Sequence, residues 1–181
     1  MDIPYYEISE PNKFISNHAP LFPRTIFCVI AGPTGSGKTN LMVHLLVTPY
    51  LLDYGDVYIY APTLHQTSYK FLKAYYTKIE RDIQEIIKQL KLPIKPGKLC
   101  HFFDADHEIK DPSELNPQIS HVMLFDDVMN TDQTKIKDYF CRSRHNNVNV
   151  FCLCQSLYKI QNTVLGTMQK CSYYFTRMII L

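Results

Sequence analysis

The sequence has no tryptophan, little glycine and little net charge, and each shortage narrows what the chain can be. Glycine supplies only six of 181 residues, too few for a collagenous or glycine-rich low-complexity chain. Three of the six, Gly32, Gly35 and Gly37, crowd into one short stretch. The formal net charge of +2 is too small to announce a nucleic-acid partner by itself. No apolar run reaches the length of a membrane span, so a soluble protein with no membrane partner is expected. There is no C-x-x-C pair, no internal repeat, and no signal-peptide pattern at the start. The six cysteines (28, 100, 141, 152, 154 and 171) fall partly in apolar runs such as Val150-Phe151-Cys152-Leu153-Cys154. Such thiols read as small reduced hydrophobes of a cytosolic or nuclear protein, not as disulfides or a metal centre.

What is present is a substantial apolar core. The chain is 46% hydrophobic, with thirteen tyrosines and ten phenylalanines, and its length fits one domain. Residues 1–24, with prolines at 4, 11, 20 and 23, read as an N-terminal leader, and residues 25–181 as the domain. Thr25–Ala31 has the short, branched and aromatic composition of a strand buried on both faces. A glycine-rich turn leads to a helix over Thr39–Val47, packing through Leu41, Leu45 and Leu46. Asp56–Ala61 reads as a second strand. Apolar residues at Leu72, Tyr76, Ile79, Ile83, Ile86, Ile87 and Leu90 recur at spacings of three and four, predicting a helix over 65–91 with one buried stripe. Leu99–Phe103 reads as a short extra strand, His121–Asp126 and Asn147–Gln155 as strands, and 132–141 as a helix. A weaker helical stretch over 160–168 and a last apolar run at 172–181 follow. Strands alternating with helices at this length predict a parallel α/β sheet covered on both faces.

The chemistry concentrates at three strand ends. Residues Gly32-Pro33-Thr34-Gly35-Ser36-Gly37-Lys38-Thr39 match G-x-x-x-x-G-K-[ST], the Walker A phosphate loop, between a buried strand and a helix. Glycines let the backbone aim successive N–H groups at phosphate oxygens, and the helix N-terminus adds partial positive charge. Lys38 is placed to reach the β- and γ-phosphates of ATP, and the Thr39 hydroxyl to ligate Mg²⁺. The strand His121–Asp126 runs into a second carboxylate, Asp127, in the manner of a Walker B motif. Asp126 is the candidate metal ligand, and Asp127 the group that activates or orients the attacking water. Gln155 ends the following strand and is the candidate γ-phosphate contact. Arg142 and Arg144 precede that strand, and Arg144, the nearer, is the candidate cation supplied to a neighbouring subunit. The stretch 70–98 holds eight Lys/Arg against three acids, which suits either a DNA backbone or a solvated helix face.

Taken together, Gly32–Thr39, Leu124-Phe125-Asp126-Asp127, Arg144-His145-Asn146 and Gln155-Ser156 resemble the genome-packaging ATPases of the FtsK–HerA superfamily. The likeness is to the branch found in poxviruses, other large DNA viruses, virophages and Maverick/Polinton elements, and covers roughly residues 25–175. It implies a RecA-like (ASCE) P-loop sheet of five strands in the order 5-1-4-3-2. It also implies a homo-oligomeric ring that hydrolyses Mg-ATP to drive double-stranded DNA into a capsid. By the same resemblance a capsid or portal-type protein is a partner, Gln155 is the sensor, and the place of action is the host cytoplasm, the nucleus or the virion. Two rivals are a P-loop nucleotide or small-molecule kinase, which needs an arginine-rich lid, and an adaptor that binds nucleotide without turnover. The N-K-x-D motif of GTPases and the signature of ABC ATPases are absent from the sequence.

Overall fold

A computed structural model of the protein describes residues 18–19, 22–94, 96–128, 133–142, 146–155 and 176–180. Gln133, Cys141, Arg142 and the last of these segments are described by backbone alone. The elements, in chain order, are β1 (Phe27–Ala31), α1 (Lys38–Val47), β2 (Asp56–Tyr60), α2 (Thr67–Gln89), β3 (Cys100–Phe103), a 3₁₀ turn (Pro112–Glu114), β4 (His121–Asp126), α3 (Gln133–Arg142), β5 (Val148–Cys154) and β6 (Thr176–Ile180). The expected helix over 160–168 lies outside the described residues. None of the described helices is long and apolar enough to cross a membrane.

The strands form one sheet, every pairing parallel, in the order β3-β2-β4-β5-β1-β6. The α/β class with a parallel sheet is as expected, but the sheet has six strands and its order is not the anticipated 5-1-4-3-2. The run expected as an optional extra strand is a full member, β3, paired with β2 at an outer edge. Ring stacking across the pair holds it there: Tyr58 lies 4.6 Å from His101 and Tyr60 4.8 Å from Phe103, centroid to centroid.

Side chains alternate between two cores, as the two-residue repeat of a strand requires. Phe27, Val29, Tyr58, Tyr60, Met123, Phe125, Val150 and Cys152 face one side, where Ile136, Tyr139 and Phe140 of α3 close over them. Cys28, Ile30, Val57, Ile59, Val122, Leu124, Phe151 and Leu153 face the other, under α1 and α2. All seven residues of β5 are buried, and all but Asn149 are apolar, which is why the strand reads as a nearly continuous apolar run. The cysteines at 28, 100, 152 and 154 are buried, and burial pushes the Cys154 thiol up to about 11, so it stays protonated.

Two helix faces depart from expectation. On α1 the fully buried residues are Met42 and Leu46, while Leu41 and Leu45 are only partly covered. On α2 the stripe is buried at Tyr69, Leu72 and Tyr76, but Ile86 is 53% and Leu90 64% exposed. Length explains it: 23 residues of helix run about 35 Å, against about 17 Å for a five-residue strand. The distal half of α2 outruns the sheet it packs on.

Candidate nucleotide site

β4, β5 and β1 are neighbours in the sheet, so their C-terminal ends bring Asp126, Gln155 and Gly32 to one edge. The register fixes this: Ala31 pairs with Cys154, and Leu153 with Asp126. In an open parallel sheet that edge is where ligands bind.

The loop between β1 and α1 starts from Gly32, whose N–H donates to the Cys154 carbonyl at 3.1 Å. It turns through a bond from the Ser36 N–H to the Pro33 carbonyl at 3.2 Å. Gly35 and Gly37 adopt φ of 83° and 89°, a region open to glycine. A Cβ at either position would meet no atom within 4 Å, so the glycines serve the backbone turn, not a tight fit. Pro33, Thr34 and Gly35 are exposed along the loop. Gly37 begins α1 with no side-chain cap, and no acidic residue stands in the first turn. Helix N–H groups left uncapped in this way are ready donors for an anion.

Lys38 is 9% exposed, and its ammonium donates to the carbonyls of Gly32 (2.7 Å) and Pro33 (2.9 Å). The charge is thus held over the loop by the loop's own backbone. The Ser36 hydroxyl oxygen is buried with no hydrogen-bond partner, an orphan that a phosphate oxygen would satisfy.

Beside the loop, Thr39 Oγ1 donates to Asp126 Oδ2 at 3.2 Å. Asp126 is 7% exposed, and burial raises its pKa above the usual carboxylate value. Hydrogen bonds from Tyr69 and Thr39 oppose that shift, the Asp127 charge adds to it, and the Lys38 charge opposes it. A buried carboxylate beside a hydroxyl is a hard oxygen donor set, the kind that suits Mg²⁺. Asp127 turns away from the strand at φ 54°, while its N–H still donates to the Leu153 carbonyl at 3.0 Å. That turn directs its carboxylate to Gln155, whose Nε2 donates to Asp127 Oδ2.

The structure therefore places Lys38, Thr39, Asp126, Asp127 and Gln155 at one edge of the sheet. Arg144 lies outside the described residues, and Arg142 is placed only as the last residue of α3. Sequence reasoning missed Tyr69. It is fully buried in the first turns of α2, and its hydroxyl donates to Asp126 Oδ2. Burial, then the Asp126 charge, holds its pKa far above the usual tyrosine value, so it remains a donor. Its place three residues before Leu72 reads as one more core position, and nothing in the string marks the hydroxyl. A separate cavity of about 300 Å³, lined by Leu46, Thr48, Tyr54, Tyr75 and Ile79 among others, lies at the far end of α1 and takes no part in this site. Among known proteins, the chain matches no protein-family model and no curated protein.

Proposed function

We propose that the chain is a Mg-dependent ATPase that moves double-stranded DNA, working as a homo-oligomeric ring in viral genome packaging. The observation that carries the ATPase half is the single edge where an uncapped helix N-terminus, Lys38, the Thr39–Asp126 pair and Asp127 meet. Backbone N–H groups of 35–39, with Ser36 and Lys38, hold the phosphates of ATP. Thr39 and Asp126 hold Mg²⁺, which when bound offsets phosphate charge. Asp127 takes or orients the proton of the attacking water, and Gln155 sets the direction of the Asp127 carboxylate.

The DNA-moving half rests on the resemblance of the motifs. Arg144, supplied to a neighbouring subunit, completes the charge at the transferring phosphoryl group. Nucleotide binding without turnover is a second reading, favoured by the engagement of Asp127 with Gln155, which restrains the carboxylate that turnover needs.

The test is ATP hydrolysis by purified protein with and without double-stranded DNA, beside Lys38→Ala. Turnover stimulated by DNA and lost in the variant is expected. Binding without turnover in any state selects the second reading, and turnover only with a small acceptor molecule selects a kinase.

A further inference from the structure

The geometry points to Tyr69 as a positioning residue for the metal carboxylate: its hydroxyl and that of Thr39 converge on one oxygen of Asp126, so that the first turns of α2 set how tightly the site holds a divalent cation. This rests on the ATPase reading above and extends it to an element outside the motifs.

Three observations carry it. Tyr69 and Thr39 donate to the same atom, Asp126 Oδ2, from two neighbouring helices, α2 and α1. With Oδ2 occupied by two donors, Oδ1 is left as the carboxylate oxygen for a cation or its waters. Tyr69 is itself fixed, being fully buried in the core that α1 and α2 form with the sheet. Next to it, Ser68 Oγ donates to Asn40 Oδ1 at 2.8 Å, so residues 68 and 69 are tied to the residues beside and after Thr39. A partner that hydrogen-bonds a ligating carboxylate orients it and tunes its affinity for metal, although it never touches the ion. Phenylalanine at 69 would still fill the core and would lack only this donor.

The experiment compares wild type, Tyr69→Phe, Asp126→Asn and the double variant. Nucleotide affinity is read first in EDTA. Mn²⁺ binding is then read by electron paramagnetic resonance with a non-hydrolysable ATP analogue present, which requires no turnover. Tyr69→Phe is expected to bind nucleotide in EDTA as wild type does and to hold Mn²⁺ roughly tenfold more weakly. In the Asp126→Asn background the same change is expected to add no further loss, because the two residues act through one bond. Unchanged Mn²⁺ affinity in Tyr69→Phe overturns the inference, as do additive losses in the double variant. A fall in EDTA nucleotide affinity equal to the metal loss overturns it too, by marking Tyr69 as packing alone. Failure of the ATPase reading looks different: wild type itself binds no nucleotide in either condition.

Discussion

Replacing Lys38 by alanine separates what the lysine does for the fold from what it does for a phosphate. The ammonium is nearly buried and satisfied by the carbonyls of Gly32 and Pro33. Phosphate binding therefore does not draw the charge out of bulk water. It exchanges two bonds to neutral carbonyls for bonds to anionic oxygens. At an effective dielectric near 20, a unit charge pair about 4 Å apart is worth about 4 kcal/mol. Giving up two carbonyl acceptors costs about 1.5 kcal/mol each, the low end for hydrogen bonds made by a charged group. The surplus of about 1 kcal/mol predicts that Lys38→Ala weakens ATP binding roughly fivefold. Folding stability should fall by about 1–3 kcal/mol, because the buried Gly32 carbonyl loses its donor, while the freed Pro33 carbonyl lies in an exposed part of the loop. Titration calorimetry with ATP and urea unfolding measure the two quantities on one sample. Affinity within twofold of wild type would refute the assignment of Lys38 to the phosphates.

Gly37→Ala introduces no clash, so its cost is the left-handed backbone alone, about 1–2 kcal/mol, read as a lower midpoint in thermal unfolding. Leu72→Ala should cost about 2–4 kcal/mol in urea unfolding, whereas Leu90→Ala, at a position 64% exposed, should cost under about 0.5 kcal/mol. Equal costs would show that the distal half of α2 is packed. Asp126 has a folded-state pKa raised by burial, so the carboxyl contributes stability at acid pH and loses it as pH rises through that raised value. Asp126→Asn should then raise the thermal midpoint of the metal-free protein at neutral pH, with the gain shrinking as pH falls toward the usual carboxylate range. An equal gain at both pH values would mean that ionisation is not its cause. Gln155→Leu frees Asp127 from its partner and should alter ATP turnover while leaving ATP affinity unchanged, measured by steady-state hydrolysis and calorimetry.

Legibility in the sequence followed how local each constraint is. The loop Gly32–Thr39 could be read because its chemistry is contiguous: glycines, lysine and hydroxyl must follow one another for the backbone to wrap an anion. The strands β4 and β5 could be read because burial on both faces leaves mostly apolar runs, interrupted by polar side chains only at His121 and Asn149 before the ends that Asp126 and Gln155 mark. The strand order is not local. Whether Cys100–Phe103 extends the sheet depends on Tyr58 and Tyr60 being next to it, residues some forty positions earlier whose rings have no periodic signature. The α2 stripe misled for a related reason. A period of 3.6 reports that one face is apolar, not that the sheet beneath is long enough to cover it. Tyr69 combines both difficulties: its ring obeys the core pattern, so its position looks explained, and its hydroxyl finds Asp126 only once β4 and α2 are assembled. The residues a site needs for bonding are written in order along the chain, but those that aim them are chosen by packing. Tyr69→Phe, which alters the aim and leaves the bonding residues in place, is therefore the substitution that tests whether packing sets how this edge holds a divalent cation.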